Sequence, residues 1–282
     1  MQKRRRRRKL TPRFFGILAL AGMLIVLSMT FLLVRLIIVY VKSRDEYKQI
    51  ANEAIVTVSP AHSAETSSAP ETTASAPAQP VYPTPEPVSL PITVDWSKLH
   101  ATNKQIIAWL YCEGTEINYP VVQTKNNTYY LTHNAKRKED QAGSLFLDYR
   151  NNLGSALENL IIYGHRMKDG SMFGSLRKFA EKSYRDEHEA FYLMTPDQVY
   201  RIEVFSCRTV NSHTKYFPSS FTSLDTEKKY TDKALSQSYW QQAPESKPEG
   251  ALLITLSTCS KYDFEEDARL LVHGWAVPIN VG

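Results

Sequence analysis

The run Ala251-Leu252-Leu253-Ile254-Thr255-Leu256-Ser257-Thr258-Cys259 decides how the rest of the chain is read. Ala251 to Leu256 is aliphatic and β-branched, the composition of a buried strand, and the run ends on a cysteine. Ten residues further on, Arg269 opens another β-rich run that continues through Leu270 to Val277. A strand–loop–strand excursion of that length can return the chain beside its start, so Cys259 and Arg269 are expected as neighbours. A short apolar strand, Asn159 to Tyr163, leads into Gly164-His165. With those strands adjacent, a thiol, an imidazole and a guanidinium converge at one edge of a sheet.

Such a trio suits acyl transfer. A thiolate attacks a carbonyl better than a thiol does, and a nearby cation lowers the thiol pKa from its usual ~8.5. His165 can supply that charge, protonate a leaving amine, and later take the proton of an incoming amine. Arg269 can donate to the oxyanion or hold the substrate backbone, and the sequence leaves both roles open. Position alone argues weakly, because a cysteine at a strand end is commonly a small buried hydrophobe.

Outward from this core, Gly143 to Tyr149 alternates, with Leu145, Leu147 and Tyr149 on one face. Ile117 to Val122 is β-rich. Ala190–Met194 and Val199–Val210 flank Thr195-Pro196-Asp197, a hairpin turn. Asp95 is expected to cap a helix carrying Trp96 and Leu99, and Thr102 or Asn103 a helix carrying Ile106, Ile107 and Leu110. Ser171 to Phe179 has helical spacing, and the polar stretch Thr222 to Gln242 is expected as a surface helix. No internal repeat is present. The sum is a mostly-β domain, a barrel decorated with helices.

This domain is expected over 92–282. Before it, 42–91 is expected as an extracellular linker whose part from Ser59 to Pro91 is rich in Pro, Ala, Ser and Thr. Such a composition cannot bury enough apolar surface to order itself and reads as a disordered, semi-extended tether. Residues 14–41 are expected as a transmembrane anchor: Phe14 to Val34 carries no charge and spans a bilayer core of ~30 Å at ~1.5 Å per residue. The run is longer than the apolar region of a cleavable signal peptide. The net charge is +5, yet residues 1–13 alone carry +8, so the remainder is −3. The basic character therefore belongs to a cytoplasmic tail that orients the anchor, and it points away from nucleic acid.

The 3 cysteines are an odd set, giving one bridge plus a free thiol or no bridge at all. They show no CxxC spacing and no Cys/His cluster with metal-ligand spacing, which argues against a zinc site. Cys112 and Cys207 are expected to be structural, as is His273, which shares a strand face with Arg269. His100, His133, His188 and His213 have no chemical company.

Thr255-Leu256-Ser257-Thr258-Cys259 followed by Arg269 resembles the TLxTC…R signature of sortases, and Tyr163-Gly164-His165 resembles their YGH element. Further matches in order are Gly114-Thr115 with Ile117 to Gln123, Asn127 to Leu131, and Gly143 to Asp148. Ser257, the leading helices and the polar stretch 219–249 are similar to class B. The resemblance implies an eight-stranded sortase β-barrel with peripheral helices. It implies cleavage of a C-terminal sorting signal after Thr, a thioacyl intermediate on Cys259, and transfer to a peptidoglycan precursor amine. It carries over His165, Cys259 and Arg269 as catalytic residues, and Asn127, Leu131, Tyr163, Ser257 and Thr258 as substrate-binding ones. It implies no metal or other cofactor, and a surface-protein partner bearing an NPxTN-like or (S/P)PxTG-like signal. Arg166 and Lys261 depart from residues common in class B. A hydrolytic cysteine peptidase and a non-enzymatic binding module on a stalk are the alternatives.

Overall fold

The charge-free run that begins at Phe14 becomes part of helix α1, Pro12–Ala54, whose large apolar side chains from Leu20 to Val41 are exposed. By length and composition this helix can cross a membrane. The structure, a computed structural model, describes residues 12–57, 90, 92–211, 217–240, 246–259 and 268–281. The chain divides into two units, Met1–Glu46 and Tyr47–Gly282.

The second unit opens with the last turns of α1. Tyr47, Ile50 and Ala54 recur at helical spacing and are buried. Strand β1, Ile55–Thr57, then pairs antiparallel with β2, Ile92–Val94. The start of the expected linker is thus ordered, and most of the Pro-rich tether, 58–89 and 91, lies outside the described residues.

Helix α2, Trp96–Thr102, is capped as expected by Asp95, whose carboxylate accepts the Lys98 amide. The helix expected next does not form. Ile106–Cys112 is instead strand β3, and its neighbours explain why. Both of its faces are apolar: Ile106, Ala108, Trp109, Leu110 and Cys112 are buried and Ile107 and Tyr111 partly so, which removes the apolar–polar alternation by which a half-buried strand is read.

The remaining strands are β4 (Asn118–Val122), β5 (Leu145–Leu147), β6 (Asn159–His165), β7 (Ala190–Met194), β8 (Val199–Asn211), β9 (Leu252–Cys259) and β10 (Ala268–Ile279). They close into an eight-stranded barrel in the order β10-β8-β7-β3-β4-β5-β6-β9. The β7–β8 hairpin turns at Thr195–Gln198 as expected. β5 is shorter than the expected alternating run, and all its residues are buried. A 3-10 turn covers Gly174–Ala180, followed by helix α3, Lys182–Glu187. Helix α4, Leu224–Ser236, starts with a Ser223–Thr226 capping box and buries Thr231 and Ala234. Ala234 packs in an outer cluster with Phe205, Leu253 and Trp275.

Between α4 and the barrel lies a buried polar network. Thr255 Oγ1 donates to Asn159 Oδ1 (2.7 Å), so it accepts from His273 Nδ1 (2.9 Å), and His273 Nε2 accepts from Arg208 Nε (3.2 Å). This fixes a neutral ring with the proton on Nδ1. Burial, and then the Arg208 charge, hold His273 well below the usual histidine value. The unfolded chain binds this proton near pH 6.5 and the folded one does not. Stability is therefore full above that pH and declines as pH falls below it. Thermal melts from pH 8 to 5 are expected to show this decline, and His273→Gln to flatten it while lowering Tm at pH 8.

Gly164 precedes the strand-end histidine at a point where a Cβ would lie 2.4 Å from Leu145 Cδ2 and 2.7 Å from Phe173 Cδ2. Gly164→Ala is expected to cost about 1–3 kcal/mol in a denaturant titration, because neither buried neighbour has space to retreat.

Candidate active site

The barrel order brings the three chemical strands side by side. β6 and β9 run parallel in the register Asn159↔Leu253 through His165↔Cys259, so both strands end together, about 4.8 Å apart. β10 runs antiparallel to β9 with Leu271 opposite Ser257. The Leu270 amide donates to Thr258 Oγ1 at 3.0 Å, extending that pairing towards the barrel end. Arg269 stands two residues beyond the last β9–β10 pair, Leu271↔Ser257, just as Cys259 does on β9. Arg269 is held on its other side by Val210 of β8. His165, Cys259 and Arg269 thus occupy one barrel end through three adjacent strands.

His165 is held from two directions. Its Nε2 lies 2.7 Å from the carbonyl oxygen of Leu131, at the end of a 3-10 turn over Tyr129–Leu131. A carbonyl only accepts, so Nε2 carries the proton and Nδ1 is the basic nitrogen of the neutral ring. On the backbone side, the Phe173 amide donates to the His165 carbonyl at 3.0 Å, and the next residue, Arg166, bridges to Met172. Met172 has φ +52°, a left-handed conformation uncommon in non-glycine residues. Its amide donates to the Tyr119 hydroxyl at 3.0 Å, which helps hold that conformation. Burial and the neighbouring Arg177 charge depress the Arg166 guanidinium, which marks this rim as cationic.

Among the described residues, Nε of Arg269 is buried without a hydrogen-bond partner. The buried Ser257 hydroxyl likewise has none. Ser257 is in register with Tyr163, whose ring packs on Phe146 at 5.3 Å and whose hydroxyl donates to Asp148 Oδ2 at 3.0 Å. Burial alone would raise the Asp148 carboxyl. The Arg150 fork, at 2.9 and 2.7 Å, the Arg150 amide and Tyr163 outweigh it and hold the carboxyl below the usual carboxylate range. Asn127 accepts the Tyr149 amide on Oδ1 at 3.0 Å, which leaves its two amide protons as donors. Thr258 is buried, and its hydroxyl accepts from β10, so it clamps two strands.

Asp148 and Arg150 are the site residues that sequence reasoning missed. Asp148 closes a run quoted for its family resemblance, and nothing local marks it as the partner of a tyrosine 15 residues on. The other cysteines lie apart: Cys112 and Cys207 are free and buried, and burial pushes both thiols up to about 12. Lys261 and His213 lie outside the described residues. A cavity lined by Ile92, Trp96, Met194 and Ile279 sits at the far end of β10, away from this chemistry.

A family model for the Sortase domain matches residues 110–277. The chain is 36% identical over 176 residues to sortase B of Listeria monocytogenes, covering 62% of this chain and 71% of that one. It is 29% identical over 177 residues to sortase B of Staphylococcus aureus, covering 63% and 72%. Among solved structures, a Bacillus anthracis sortase B in complex with AAEK1 matches with a TM-score of 0.59 and 38% identity, covering 65% of this chain and 84% of that one. A Staphylococcus aureus sortase B–substrate complex matches with a TM-score of 0.61 and 28% identity, covering 65% and 85%. With these matches spanning most of the barrel, the chain belongs to the sortase family, class B.

Proposed function

We propose that the chain is a cysteine transpeptidase, anchored by its N-terminal helix, that joins surface proteins to the cell wall. The observation that carries this reading is the in-register ending of β6 and β9, which makes His165 and Cys259 neighbours. The basic residues 3–9 and 13 orient the helix with its N-terminus in the cytoplasm and the barrel outside.

In this reading the Cys259 thiolate attacks the carbonyl carbon of Thr in a C-terminal sorting signal. An S–C bond forms, and the C–N bond to the next residue breaks once His165 has given its proton to the departing amine. The acyl group stays on Cys259 as a thioester. An amine of a peptidoglycan precursor then attacks that carbon, His165 takes the amine's proton, and the thiolate departs. Arg269 donates to the oxyanion in both halves. Asn127, Leu131, Tyr163 and Ser257 frame the groove for an NPxTN-like or (S/P)PxTG-like pentapeptide. The unspent donors of Asn127 and the orphan hydroxyl of Ser257 support their part in it. Asp148 is engaged by Tyr163 and Arg150, so it shapes the wall rather than moving protons.

The test is mass spectrometry of the full chain in detergent with a panel of sorting-motif peptides, with and without triglycine. A thioacyl mass on Cys259 and a Thr–amine product are expected, both lost in Cys259→Ala and His165→Ala. Arg269→Ala is expected to lower kcat by about 10²–10³. Cleavage with no amine product would make the protein a hydrolytic peptidase. Silence across the panel, with Cys259 unreactive to an alkylator, would make it a binding module.

A further inference from the structure

His165 sits between two turns, and one residue touches the supports of both. Tyr47 lies at the end of α1, within the second unit, and is 4% exposed. Its hydroxyl donates to the Gly143 carbonyl at 2.5 Å and lies 3.1 Å from Ser144 Oγ. Ser144 in turn grips the turn that holds the imidazole: its Oγ donates to the His133 carbonyl at 2.9 Å, and its amide to the Tyr130 carbonyl at 2.9 Å. Gly143, at φ +57°, is pressed so closely on that turn that a Cβ would meet Tyr130 O at 2.5 Å and Leu131 O at 2.8 Å. The Leu131 carbonyl is the acceptor for His165 Nε2. One hydroxyl therefore braces the turn that presents the proton acceptor of the imidazole.

The second support starts from the same ring. Tyr47 meets Tyr119 edge to face, with centroids 5.4 Å apart. The Tyr119 hydroxyl holds the Met172 amide, Met172 bridges to Arg166, and the Phe173 amide caps the His165 carbonyl. Tyr47 itself is fastened independently of the active site, by Ile50 and Ala54 on its own helix face and by the β1–β2 pairing that follows.

We propose that Tyr47 is a positioning residue for His165, so that the helix leading out of the apolar span is part of the catalytic apparatus and not only an anchor. The proposal rests on the role given to His165 above. Geometry in a transfer reaction is costly to lose, and a displacement of ~1 Å far from the chemistry can reduce rate by about a hundredfold. Removing one hydroxyl while keeping the ring loosens only one of the two supports, so a smaller loss is expected. Burial first, and then the nearby Asp140 charge, hold the Tyr47 phenol far above working pH; Ser144 and the Ala135 amide pull the other way without reversing this. The phenol therefore remains a hydroxyl donor throughout, and a pH effect seen on its removal belongs to the active site.

The experiment compares wild type, Tyr47→Phe and Ser144→Ala as full chains in detergent. It measures transfer kinetics, Tm, and the rate of Cys259 alkylation against pH. Tyr47→Phe is expected to lower kcat about tenfold with KM for the peptide unchanged within twofold, and to shift the alkylation pH profile. Ser144→Ala is expected to move the profile in the same direction. A purely structural tyrosine would lower Tm and leave the pH profile in place, and that result overturns the proposal, as does a Tyr47→Phe protein with wild-type kcat and profile. Alkylation needs no substrate. A wild type that transfers nothing thus defeats the transpeptidase reading, while the alkylation comparison still decides the role of Tyr47.

Discussion

The parallel pairing of β6 with β9 is the constraint on which the rest depends. The residues that pair from Asn159↔Leu253 onward are almost all buried, and the register is pinned well below the site by the Thr255–Asn159 hydrogen bond. A one-residue slip would reverse every side chain on the strand, exchanging the face packed in the barrel for the face beneath α4. Both faces are buried and differently shaped, so the slip is closed off, and two chain ends far apart in sequence finish side by side. β10 adds the third member by the same logic, its register with β9 fixed before it reaches Arg269.

Around that fixed end the protein arranges donors and acceptors with few left over. The Nε2 proton of His165 is taken by a main-chain carbonyl, which fixes which nitrogen exchanges protons. Tyr163 is turned towards Asp148, and Asp148 is neutralised by Arg150. The described polar atoms that remain unspent near the site, Nε of Arg269 and Oγ of Ser257, are thus the informative ones. Buried groups without partners are rare in folded proteins, so these two call for a physical reason.

Much of this was legible in the sequence. The strand ending at Cys259, the strand carrying Arg269 and the strand leading into Gly164-His165 each form where the sequence places them, because short aliphatic runs bounded by glycine or polar residues are strong local signals. The apolar span and the Asp95 cap were equally plain. β3 was not, since a strand apolar on both faces shows neither period clearly and Ile106, Ile107 and Leu110 fit a helix as well as a strand. Nor was the docking of Tyr47. Its partners Gly143 and Ser144 lie about a hundred positions along the chain, and a tyrosine just past an apolar span reads locally as an interfacial residue. Contacts of that range are set by the closed barrel, not by any window of sequence.

The claim at the centre is that the thiol of Cys259 and the imidazole of His165 work as a pair. A bifunctional haloketone such as 1,3-dibromoacetone, which first alkylates a thiol and then captures a nucleophile within its own short reach, tests it on the full chain. Peptide mapping is expected to find a single bridge joining Cys259 to His165, formed with concurrent loss of transfer activity. A bridge from Cys259 to another residue, or alkylation of Cys259 with the second arm hydrolysed and His165 unmodified, would contradict the pairing and the mechanism built on it.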